Sequence, residues 1–285
     1  MAGSFFGEPL TGWWSRVAER SSVAGYRSLV ASRIRGQLAY RTSFAFLTLT
    51  SAAVAVVELT EIWVILHNVP IFGGLNFAQA ALVFALANLG FALADVVFGQ
   101  LDAIPTLLRA GQLESLLVRP LPLMAQLITT DFQLRRLGRA AVSIVILIIA
   151  LSQVSVTWTP AVIYLVVSTP IFGALIYGAL FAVAGGVQFF LIDGAEFTAS
   201  FVYGSGYAGE LPGSVLAVPL RLAFTFVAPA TITGYAPALL ILQLPGPAFL
   251  PAWLGWCAPL FAGTTWLLAG LAWRAGIRRF TGAGG

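Results

Sequence analysis

Carboxylates embedded in apolar sequence are the residues of this chain whose type and placement first imply chemistry. Glu58 and Glu61 stand one helical turn apart in one apolar run, and Asp95, Asp193, Glu196 and Glu210 lie in or beside others. Ionisable groups at membrane depth are costly and mark pathways, relays or paired helices. Glu58 and Glu61, near the outer end of the first apolar run, read as a solvated interfacial pair. Asp95 belongs to a stripe of small and polar residues: Ala81, Ala85, Asn88, Ala92, Asp95 and Gly99. That stripe permits close helix approach and interhelical hydrogen bonds. Its plain reading is helix packing; its sharper one is a dimer face or a pathway lining. Asp193, Glu196 and Glu210 make residues 189–210 the most polar of the apolar segments, tolerable in lipid only against protein or a wet cavity. Asn88, Asp95, Asp193 and Glu196 are therefore the candidate pathway or dimer-face residues.

Several chemistries are excluded by what is missing. A P-loop needs a Lys to hold the β and γ phosphates, and all fifteen basic residues here are Arg. A single His, His67, rules out His-rich metal sites and H-E-x-x-H, and reads as an interfacial residue. The single Cys257 supports neither a disulfide framework nor a thiolate metal site. No G-x-S-x-G elbow or paired aspartate motif occurs. No catalytic, cofactor-binding or metal-ligating set is expected, and the chain reads as a non-enzyme.

The elements that must position the carboxylates are membrane spans. The chain has 285 residues, of which 59% are hydrophobic and only 9% charged; a soluble domain carries about 25% charged residues. A bilayer core needs about 20 apolar residues per helix. Spans are expected at about 44–66, 77–101, 140–156, 161–188, 189–210 and 253–273. Residues 1–43, polar and basic with Trp13 and Trp14, read as an interfacial amphipathic helix rather than a signal peptide. The net charge of +4 is read as topology and lipid contact, not nucleic-acid binding.

Arginine sets the orientation, because basic residues concentrate in short cytoplasmic loops. With both ends and the 102–139 loop inside, every Arg except Arg221 is cytoplasmic. The proline-rich segment 212–251 is then left outside. Two short apolar helices, about 213–228 and 236–244, would flank a bend at Pro229–Tyr235 as a re-entrant hairpin. The rival reading makes 213–240 a full span and demotes 189–210 to a cytoplasmic linker. Trp63, Trp158, Trp253 and Trp256 fall at outer span ends and Trp13, Trp14 and Trp273 at inner ends, as an interfacial belt requires. The expected fold is an all-α membrane protein of six transmembrane helices with an outer hairpin.

The loop 102–139 carries the remaining signal. Asp102 and Pro105 start a short helix, Gly111 permits a break before a second one, and Pro120 and Pro122 end that second helix. Ile104, Leu107 and Leu108 lie on one piece and Leu113, Leu116 and Leu117 on the other. Exposed apolar residues there would meet the lipid interface, the underside of the bundle or a partner protein.

At this loop the chain resembles the permeases of type 2 ABC exporters, the bacterial ABC-2 family transporters. The resemblance is carried by GQLESLLVRPLPL with DFQLRRLGR, then PLRLAFTFVAPATITGYAPA, then WRAGIRRFTGAGG, in that order along nearly the whole chain. It implies six spans with both termini cytoplasmic in the bacterial plasma membrane, an interfacial N-terminal helix and a coupling helix between spans two and three. It also implies a re-entrant pair before the last span. Pro105, Leu108, Arg109, Gln112, Leu113, Glu114, Leu116 and Arg119 would dock on a separate ATPase subunit, with Arg109, Glu114 and Arg119 as polar contacts. Two ATPases, holding ATP and Mg, and two permease chains, identical or homologous, would form the working unit; this chain would bind no cofactor. The function so implied is ATP-driven export of an amphipathic or hydrophobic substrate, such as a drug-like molecule, lipid or glycoconjugate. An ion-coupled secondary transporter would show inverted repeats, and the halves show no convincing self-similarity. An intramembrane enzyme would cluster acids or Ser/His at one depth, whereas the acids here look scattered.

Overall fold

The computed structural model describes residues 31, 32, 34–37, 39–118, 122–130, 133–191 and 195–279. Regular structure among them is helical, apart from one β-bridge between Phe72 and Leu75. The first long helix, α1, spans Arg41–Asn68 and buries only Ala55, Ile62 and Leu66. Gly73 and Gly74, at φ of 61° and 84°, make the turn after it, a backbone shape open to glycine without steric cost. Ser214 donates to the Gly73 carbonyl at 2.5 Å, tying the turn to a distant segment.

Helix α2, Phe77–Phe98, starts on a reciprocal cap: Asn76 Oδ1 accepts from the Gln79 amide, and Gln79 Oε1 accepts from the Asn76 amide, both at 3.0 Å. It is apolar on all sides and buried for most of its length, which makes it the central post. A 3₁₀ turn, Gly99–Ala103, leads into α3 (Ile104–Arg109); α4 (Leu113–Leu117) and α5 (Leu123–Thr130) come next. Helix α6 spans Leu137–Gln153 and packs on α1 and α2. Helix α7, Pro160–Gln188, opens with Thr159 as cap and proline in its first turn, where a missing N–H costs nothing. It packs between α2 and the last helix, α11 (Ala258–Arg279). The α2–α7 crossing rests on Gly90 against Gly173: a Cβ on Gly90 would lie 3.1 Å from the Gly173 Cα. Small residues let helix backbones touch in this way.

Between α7 and α11 the chain is broken. Residues 195–210 form α8, α-helical over Ala195–Thr198, π over Ala199–Tyr203 and α again over Gly204–Glu210. Helix α9, Val218–Leu222, likewise runs into a π segment, Ala223–Val227. After a 3₁₀ turn, α10 covers Tyr235–Ile241. The pieces 218–227 and 230–241 meet at 75°, the geometry of a broken span or a re-entrant loop.

Four helical stretches among the described residues are long and apolar enough to cross a bilayer: Arg41–Asn68, Phe77–Arg109, Pro160–Gln188 and Ala252–Arg279. The bent pair makes a fifth if taken as one span. Helix α6 has 17 residues, about 26 Å at 1.5 Å each, and α8 is interrupted by its π turn. Residues 1–30 and 280–285, with Trp13 and Trp14, lie outside the described residues. Of the tryptophans, Trp63, Trp158, Trp253 and Trp256 are exposed as an interfacial belt requires. Trp273 is not. It is buried edge-on against Phe189, centroids 5.8 Å apart, as a packing residue of the inner core.

Candidate functional site

The acids that look scattered in sequence converge. Arg139, in the first turn of α6, reaches Glu58 Oε2 at 2.6 Å and Glu210 Oε1 at 3.0 Å through one nitrogen, Nη2. Its Nε donates to Asn88 Oδ1 at 2.9 Å. Asn88 Nδ2 in turn donates to both carboxylates, at 3.0 Å to Glu58 and 2.9 Å to Glu210. Ser143, one turn along α6, lies 2.9 Å from the same Asn88 oxygen. Phe91 sits under the guanidinium with its ring centre 5.0 Å away, within cation–π range. The cluster ties α1, α2, α6 and α8 through side chains alone. With both carboxylates ionised it holds two negative charges against one positive.

Two expectations are corrected here. Glu58 is not part of a solvated interfacial pair; it is a salt-bridge partner inside the bundle. Arg139 is not a loop residue; it stands in the first turn of α6. Gly138 abuts the Thr48 backbone, so α6 begins alongside α1, and Arg139 reaches the middle of α1 and α2. The physical reason is the same for both: a carboxylate at that depth needs a cation, and Arg is the only permanently charged cation the chain has. The missed signal was this balance, since buried charges must be paired.

One turn below, Arg136 Nη1 meets Asp95 Oδ1 at 2.5 Å and the Asp95 carbonyl at 2.7 Å. The stripe on α2 is thus a packing face that presents Asn88 and Asp95 to the start of α6. Asn88 is fully buried within the chain.

Helix α8 has the opposite character. Glu196, Ser200, Tyr203 and Tyr207 recur at steps of four, three and four, and all four are exposed. Tyr203 donates to Asp102 at 2.9 Å and Tyr207 to Glu61 at 3.1 Å. Beside this polar face, Phe197, Phe201, Phe224 and Val227 line a groove of about 330 Å³, within the size of ligand pockets, roughly 300–1,000 Å³. Ser200 belongs to both surfaces. The groove walls are the two π turns, a feature often found at functional sites. Asp193 lies outside the described residues.

The loop 102–139 folds back on the bundle. Leu113 is completely buried, and Leu116 nearly so, in a core with Leu101, Ile104, Leu123 and Leu127. Pro105 is buried and Leu108 half-buried. Placing Leu113, Leu116 and Pro105 on an exposed docking surface is corrected: their apolar side chains are buried against the chain itself, which takes them out of water. Arg109, Gln112 and Glu114 are exposed. Val118, which is not among the expected docking residues, is the most exposed large apolar residue among those described, at 86%. Arg119 lies outside the described residues.

Comparison with family models matches ABC-2 family transporter protein over residues 52–284. The chain belongs to that family. Comparison with curated proteins and with solved structures found no match. ABC-2 permeases are multi-pass membrane subunits of ABC transporters and work with ABC ATPase partners.

Proposed function

We propose that this permease exports an amphipathic molecule along the exposed face of α8, with ATP hydrolysed on a separate ATPase subunit. The carrying observation is the contiguity of two chemistries on one helix: a row of Glu196, Ser200, Tyr203 and Tyr207 beside an apolar groove of about 330 Å³. A polar row of that length, about 16 Å, is unstable against lipid, so it calls for a wet pathway shared with a second permease chain. Helices α6 and α8 complete six spans with both termini cytoplasmic, the bent pair 218–241 dipping in from outside. The ATPase docks on the exposed residues of the loop, Arg109, Gln112, Glu114 and Val118, and the buried leucines beneath transmit its motion to α2 and α7. Mg and ATP belong to the ATPase.

Cysteine substitution tests the pathway. In a Cys257→Ser background, cysteines at Ser200, Tyr203 and Tyr207 should react with a membrane-impermeant thiol reagent, and substrate or ATP turnover should change their rate. Cysteines at Leu267 and Leu271, exposed on α11, should stay unlabelled as lipid-facing controls. Equal labelling of both sets, or none at α8, would sink the pathway assignment.

A further inference from the structure

A second cleft, of about 350 Å³, opens where the segment before α1, the first turns of α1 and the stretch of chain entering α6 meet. Its polar wall is Gln37, Tyr40, Ser43, Gln133 and Arg135, and Phe44 and Leu47 form its apolar floor. Arg135 Nε donates to Gln133 Oε1 at 2.8 Å, and Gln37 Oε1 accepts from the Leu134 amide at 3.0 Å. These bonds hold one cation and its neighbours on the cleft wall. Among the described residues no carboxylate lines it, and the first turn of α1 carries no acid. Arg41 is exposed in that same turn.

From these observations we propose that the cleft binds the phosphate headgroup of an anionic phospholipid, whose acyl chains then run along α1. Two features select a lipid over a small anion. The cleft lies at the end of a candidate span, where headgroups sit. Its floor continues along the same side of α1, where Leu47 and, two turns on, Val54 are both 44% exposed. Basic pockets between helices at a membrane surface suit anionic headgroups, each Arg contributing about 1 kcal/mol. The bound lipid would brace residues 133–136, the stretch joining the underside loop to both ion-paired arginines. The inference needs only that α1 crosses the bilayer, not the export reading.

The full chain in mild detergent, offered equal palmitoyl-oleoyl phosphatidylglycerol and phosphatidylcholine, should retain phosphatidylglycerol preferentially by native mass spectrometry. Inorganic phosphate alone should not raise its melting temperature. Arg135→Gln should cut the preference about fivefold, and Arg135→Lys should keep it. Ser43→Asp should also cut it while folding normally, because an acid in the first turn suits the helix dipole. Equal retention of the two lipids overturns the proposal. So does an undiminished preference in both Arg135→Gln and Ser43→Asp, or stabilisation by phosphate without lipid preference, which would mean a site for free phosphate.

Discussion

Arg139 and Arg221 are both largely buried, yet their partners differ in kind. Arg139 faces two carboxylates and an amide contributed by three other helices. Arg221, on α9, donates instead to the carbonyls of Gly213, Ser214, Leu216 and Ala248 at 2.9–3.0 Å. The first arrangement joins separate helices and depends on charge balance. The second closes the 213–221 turn and pins it to the loop after α10 through Ala248, with backbone dipoles in place of counter-ions. A membrane protein can thus bury a guanidinium in two ways, and only one of them couples distant helices.

Breaking each site should separate the two modes. Arg139→Ala should have the largest effect, about 3–5 kcal/mol of destabilisation, because two carboxylates lose their cation; thermal unfolding in detergent reads it. Replacing the whole set, Arg139→Met with Glu58→Leu and Glu210→Leu, should recover most of that loss, since an apolar substitute for a buried ionic triad is often neutral or better. Failure to recover would show that the cluster holds the fold by more than charge balance. Arg221→Ala should cost less, about 1–3 kcal/mol for carbonyls left without a donor, with limited proteolysis increased at 213–221. Glu58→Gln should be the mildest of the ionic changes, under about 1.5 kcal/mol, since Glu210 remains paired with Arg139.

The underside loop offers a further contrast between inward and outward residues. Leu113→Asp places a charge in a sealed core and should reduce the amount of folded permease recovered from membranes. Val118→Asp, on an exposed position, should leave that yield unchanged and reduce ATPase co-purification severalfold. Normal co-purification with Val118→Asp would remove this residue from the docking surface.

Much of the architecture is legible in local sequence. Asn76, Thr159 and Pro160 mark helix starts by local chemistry, and Gly73–Gly74 mark a turn. Proline spacing separates α9 and α10, and the bend at Pro229–Tyr235 lies where the structure turns by 75°. The site is less legible. Glu58, Asn88, Arg139 and Glu210 are spread along more than half of the chain, and no local rule says which acid an arginine will meet. Leu113 and Leu116 show the same limit: periodicity puts them on one helix face without saying what covers it.

Composition alone determined that this chain lives in a membrane, because 9% charged residues cannot wet a body of this size. Helical periodicity and turn residues then placed the long apolar helices, since their signals lie within a few residues of one another. Tertiary structure alone decided that Arg139 bridges two carboxylates inside the bundle, and that Leu113 is sealed in the core. Both depend on packing between segments far apart in the chain. Pairing a buried charge or covering an apolar face is a property of the neighbour, and the neighbour is chosen only when the helices assemble.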